Sequence, residues 1–145
     1  MTDTLDNVNE WLKQMELISI RPDDYEENPR VIVNYSVGEY TFQVQIRASE
    51  KWINAKALVA FVKDIPAQER CNLYHKVLLT NWELNEVTFS ADHDGDIWLE
   101  TDMPADSTKE NFEIEFNSIP FGLTYFVDKI APTVSFAVQD TNYHV

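Results

Sequence analysis

Among its 145 residues the sequence has one cysteine, Cys71. A single thiol closes no intramolecular disulfide and builds no thiolate metal cluster, so a reducing, cytoplasmic compartment is the expectation. Three glycines and six prolines are too few for a low-complexity or disordered chain. Bases are scarce as well: 11 Lys and Arg stand against 25 Asp and Glu, a formal charge of -14. A field of that sign repels phosphate backbones and anionic headgroups, which argues against nucleic acid or a membrane surface as partner. No stretch approaches the roughly 20 apolar residues of a membrane span. The opening Met1-Thr2-Asp3-Thr4-Leu5-Asp6 carries acids where a signal peptide has bases and then an apolar run, so a soluble protein is expected.

What is present is material for a core, 44% hydrophobic and 12% aromatic. A chain of this length is most simply one domain over residues 1–145, burying about two thirds of its unfolded surface. Leu5, Val8, Trp11, Leu12 and Met15 repeat at three and four, which predicts a helix over about 4–16 capped by Thr4 or Asp3. The polar segment from Arg21 to Arg30, bracketed by Pro22 and Pro29, reads as a surface loop. The period then changes to two. Val31, Val33 and Tyr35 make a first strand, and after a turn at Gly38-Glu39, Phe42, Val44 and Ile46 make a second. A third strand is expected from about Trp52 to Val62, with Ile53, Ala55, Ala57, Val59 and Phe61 on one face and Asn54 and Lys56 on the other. Pro66 opens a second helix over about 66–81, with Leu73, Tyr74, Val77, Leu78 and Trp82 as its apolar side. Cys71 and His75 lie one turn apart on it, with no third group to orient the histidine for catalysis.

The stretch Ala91-Asp92-His93-Asp94-Gly95-Asp96-Ile97-Trp98 gathers acids around one glycine between two strands. A two-residue turn at Asp94-Gly95 would set Phe89 opposite Glu100 and put charge on the apolar face. A three-residue loop, His93-Asp94-Gly95, instead pairs Ala91 with Ile97, Phe89 with Leu99 and Val87 with Thr101. That loop is a type I turn followed by a left-handed residue, the place for Gly95. The acids then serve the turn. Compared with a calcium loop, glycine falls at position four rather than six, and Met103 stands where a bidentate Glu belongs. The same register sends Trp98 to the opposite face, beside Thr88, Ser90 and Glu100, either exposed to a partner or covered by another part of the chain.

Ser107-Thr108-Lys109-Glu110 has the spacing of a capping box, and Phe112, Phe116, Ile119, Leu123, Phe126 and Ile130 follow at four, three, four, three and four. Pro120 lies inside this stripe, so either a kinked helix or two helices, 108–117 and 119–130, is expected. Past Pro132 the run Val134-Ser135-Phe136-Ala137-Val138 docks in extended form or frays.

The order helix, three strands, helix, two strands, helix, with the hairpin at 87–104 and the capped helix at 107–130, resembles the type III secretion chaperone-like superfamily, which includes YbjN-type and small archaeal proteins. That resemblance implies an α+β domain of five antiparallel strands with helices packed on them. It also implies a homodimer that binds other polypeptides and has no catalytic residues or cofactor. Trp52, Trp82 and Trp98 are then the candidate partner-binding residues. Two other readings compete. Phe116, Phe121, Tyr125 and Phe126 could line a pocket for a small apolar ligand, and the acids from Asp92 to Asp102 with His93 could make a carboxylate-metal hydrolase, although His75, His93 and His144 have no recognised ligand spacing.

Overall fold

The computed structural model describes residues 2–134. Helix α1 (Thr2–Gln14) leads through the 15–30 segment to strands β1 (Val31–Val37), β2 (Tyr40–Ala48) and β3 (Trp52–Ala60). Helix α2 (Ala67–Glu83), the hairpin β4 (Thr88–Ala91) and β5 (Ile97–Pro104), and helix α3 (Lys109–Tyr125) follow. The expected α+β architecture is present: one antiparallel sheet in the order β1-β2-β3-β5-β4.

Alternation along the strands divides the sheet into two faces. Phe42, Val44, Ile46, Ile53, Ala55, Ala57, Ile97 and Leu99 are fully buried on one of them. Helix α1 covers that face at β2, and α3 covers it at β5, β3 and β1. The aromatic seam between the two helices joins Trp11 to Phe112 at 5.5 Å and Phe112 to Phe116 at 5.5 Å. Apolar area removed from water in this layer is the main source of stability. The other face bears Gln43, Gln45, Arg47, Asn54, Lys56, Leu58, Trp98 and Glu100, all half-buried.

Both edges of the sheet are blocked, which protects a fold of this kind from strand addition. At β1, Ile20 forms an isolated bridge with Ile32. At β4 the blocking group is a side chain of α2: Asn81 Oδ1 accepts from the Phe89 amide at 2.7 Å, and its Nδ2 donates to the Phe89 carbonyl at 2.9 Å.

Several expectations are corrected. Helix α1 starts earlier, so Asp3 and Thr4 lie within it rather than capping it. The 21–30 loop is not wholly superficial, for Tyr25 is buried with the Arg21 guanidinium 4.7 Å from its ring centre. Strand β3 ends at Ala60 because its register against β5 shifts between Leu58 and Ala60, and Val62–Asp64 turn as a 3₁₀ segment, leaving Phe61 half-buried. The cap of α3 is Thr108, whose hydroxyl accepts from the Asn111 amide; Ser107 donates to the Pro104 carbonyl. Pro120 does not break α3. Phe116 and Ile119 are sealed against the sheet just ahead of it, and Gly122 and Leu123 just after, so packing holds the helix across the missing hydrogen bond. The irregularity comes later, as one π-helical turn over Phe126–Ile130 followed by a 3₁₀ turn, Ala131–Thr133. Residues 135–138 of the apolar tail, and His144, lie outside the described residues.

Candidate binding surfaces

The hairpin has the register that a three-residue loop demands, with Phe89 opposite Leu99, Ser90 opposite Trp98 and Ala91 opposite Ile97. Asp92 and Asp96 close it: the Asp92 amide donates to the Asp96 carbonyl at 3.0 Å, and the Gly95 amide to the Asp92 carbonyl at 3.0 Å. Gly95 has φ +89, and a Cβ there would stand 3.0 Å from the Tyr74 hydroxyl. That hydroxyl donates to the Gly95 carbonyl at 2.6 Å, tying the loop to α2.

The acids of this loop are largely occupied. Asp92 Oδ1 accepts from the amides of Asp94 at 2.9 Å and Asp96 at 3.0 Å, while its Oδ2 accepts from the Trp98 indole at 2.9 Å. Asp96 Oδ1 accepts from the Val62 amide at 2.9 Å and anchors the end of β3. One carboxylate oxygen each from Asp92, Asp94 and Asp96 falls within a 4.8 Å span, so these are the residues that could hold a cation. To do so they would compete with hydrogen bonds that already shape the loop.

The Trp98 indole first, and then the loop amides, hold the Asp92 carboxyl below the usual carboxylate range. A depressed carboxyl contributes stability above its unfolded pKa, and that contribution is lost as pH falls through the folded value. Asp92→Asn puts either an amide N–H against the indole N–H or a lone acceptor in place of two. The variant is therefore expected to melt below the parent near neutral pH, with the gap closing as both are taken into acid. Thermal melts against pH check this; a gap independent of pH would contradict it.

Trp98 lies on the open face as expected, but half-buried, with its indole bound to Asp92 and the Lys56 ammonium 5.4 Å from its ring centre. Trp52 stands further along the same face and is 52% exposed. These two share a surface with Leu58. Trp82 does not: it is 89% exposed on α2, together with Leu78 and Leu79. The sequence reading placed Leu78 and Trp82 on the inner side of α2. In the structure the buried side is Leu73, Val77 and Thr80, about one residue round the helix. Apolar residues at 73, 74, 77, 78, 79 and 82 cover too wide an arc for one stripe, and that excess was the available signal of a second face. Beside Leu78 an apolar notch of about 180 Å³ opens between α2 and the hairpin, lined by Tyr74, Val77, Phe89 and Ile97.

The remaining candidates do not converge. Cys71 and His75 are both exposed on α2, and His93 is exposed at the loop tip. Phe116 and Phe126 are sealed in the core while Phe121 is 60% exposed, so these aromatics line no common pocket for a small ligand.

No protein-family model matches the sequence, and no curated protein matches it. Solved structures do match the fold. YbjN from E. coli superposes with a TM-score of 0.65 at 12% identity, covering 94% of this chain and 96% of that one. A chain of the heterodimeric ExoU–SpcU complex from the type III secretion system of Pseudomonas aeruginosa gives 0.58 at 15% identity, with 86% and 98% covered. A chain of the HopA1–SchA chaperone–effector complex gives 0.52 at 13% identity, with 85% and 94% covered. The chain has the type III secretion chaperone-like fold. Among the described residues no helix is long and apolar enough to cross a membrane.

Proposed function

We propose that this protein is a non-enzymatic, chaperone-like module that works as a cytoplasmic homodimer and binds other polypeptides. The observation that carries this reading is the amount of large apolar surface outside the core: Leu78, Leu79 and Trp82 on α2, and Trp52 with Trp98 on the open sheet face. Exposed Trp82 beside Leu78 and Leu79, and exposed Trp52 on the face of the half-buried Trp98, are what a protein contact surface needs. The fold supports the same reading, since two of the similar chains come from complexes of two polypeptides.

The two faces suit different partners. Along α2 the charges of Glu69 and Glu83 balance those of Arg70 and Lys76, on a chain whose overall charge of -14 opposes self-association elsewhere. This neutral, apolar helix is the face for a second copy. The open sheet face, with Trp52, Leu58 and Trp98 set among polar side chains, is the face for a client. The test uses the immobilised protein to capture polypeptides under native conditions, beside a Trp52→Ala, Trp98→Ala variant shown to keep its fold. Clients are expected to be retained by the parent and lost roughly tenfold or more by the variant. An unchanged captured set would remove the sheet face from the proposal.

A further inference from the structure

Polar groups meet at the joint between α3, β5 and the α2–β4 connection with too few hydrogens among them. Thr101 is buried, and its Oγ1 lies 2.8 Å from the Glu86 carbonyl oxygen and 3.0 Å from Glu115 Oε2. The side-chain carboxyl of Glu86 is also within hydrogen-bond reach of Glu115. A hydroxyl supplies one hydrogen, whereas a carbonyl and two carboxylates supply none. If Thr101 donates to the carbonyl, its contact with Glu115 sets lone pair against lone pair unless Glu115 brings a proton. If it donates to Glu115, the Glu86 carbonyl faces an unprotonated oxygen and the two carboxylates still abut. A proton on Glu115 lets both Thr101 contacts form at once, Glu115 donating to the hydroxyl and the hydroxyl to the Glu86 carbonyl.

The charges around the joint have one sign. Glu115 on α3 faces Glu86 from the α2–β4 connection and Asp102 from β5, and the shallow cavity alongside adds Glu100 and Thr88 to its lining but no Lys or Arg. Glu86 is also one of two non-glycine residues with positive φ, +71, among the described residues. A glutamate keeps that backbone conformation only where surrounding contacts impose it, and the carbonyl that Thr101 binds is its own.

We propose that a proton held among Glu115, Glu86 and Thr101 is a latch that fastens α3 to β5 and to the α2–β4 connection, closed in acid and released as pH rises. Burial, followed by contact with the Glu86 carboxyl and the charges of Glu86 and Asp102, raises Glu115 above the ordinary range against the opposing hydrogen bond from Thr101. The stability contributed by a raised carboxyl is complete below its unfolded pKa and is lost as pH rises through the folded value. Release loosens the joint just beyond the end of α2.

The full chain tests this in two ways. In the parent protein, the carbon-13 resonance of the Glu115 side-chain carboxyl is expected to titrate above the ordinary glutamate range. Glu115→Gln keeps a donor for Thr101 and cannot acquire charge. It is expected to melt with the parent below about pH 4 and a few degrees above it at about pH 8. Parallel melting curves for the two proteins, or a Glu115 carboxyl that titrates within the ordinary range, would overturn the latch. The carboxyl titration needs no variant and decides the matter even if Glu115→Gln does not fold.

Discussion

Gly122→Val is expected to lower the unfolding free energy by about 2–4 kcal/mol. Helix α3 lies close against the sheet at this residue. A Cβ at position 122 would fall 2.6 Å from Leu99 Cδ2, 3.0 Å from Cδ1 and 3.3 Å from Cγ. Leu99 has no exposure in the centre of β5, so its side chain cannot swing aside into solvent. Helix propensity alone points the other way, since a glycine inside a helix costs up to about 1 kcal/mol relative to alanine. Overlap with three atoms of a buried side chain outweighs that gain, and the branched valine adds a further methyl. Denaturant unfolding checks the size of the loss. Leu99→Ala in the same chain is expected to recover part of it, because the two substitutions act on one contact and are not additive. A Gly122→Val variant within about 0.5 kcal/mol of the parent would mean that α3 does not sit this close to β5.

The second large effect is on assembly. Leu78→Asp with Trp82→Asp places two carboxylates on the exposed side of α2, where the native charges cancel. Burying a Leu and a Trp in a contact contributes at least about 3 kcal/mol, so their loss is expected to weaken self-association about a hundredfold or more. The fold itself should be unaffected, because the inner side of α2, Leu73, Val77 and Thr80, is left untouched. An unchanged melting temperature measured on dilute protein, beside the lost assembly, separates an interface effect from an unfolded helix.

The hairpin was legible in the sequence because a strand has period two: a register error of one residue sets Phe89 opposite Glu100 and parts it from Leu99, whereas the three-residue loop keeps the two on one face. Gly95, the sole glycine in the stretch, then had one place to go, and its φ of +89 is the result. The roles of the loop acids were legible only as a class. That Asp92 binds the Trp98 indole depends on two side chains lying across the hairpin at a distance no spacing rule conveys. The inner side of helix α2 is not legible in the sequence, because a helix packed at a sheet edge has a narrow buried side, and apolar residues beyond it look the same in sequence whether they face a core or a partner. The Asn81 bonds to the Phe89 backbone illustrate the same limit, since nothing local in Thr80-Asn81-Trp82 points to an edge strand eight residues on. At Pro120 the local cost is real, but buried neighbours on both sides of it decide the path of α3.

The most direct measurement is the mass of the unmodified protein in solution by light scattering, followed down a dilution series. A homodimer built on α2 has twice the chain mass of 16.9 kDa at high concentration, and the Leu78→Asp, Trp82→Asp variant falls to the single-chain value under the same conditions. A parent protein of 16.9 kDa at every concentration would contradict the account, as would a dimer that survives both substitutions.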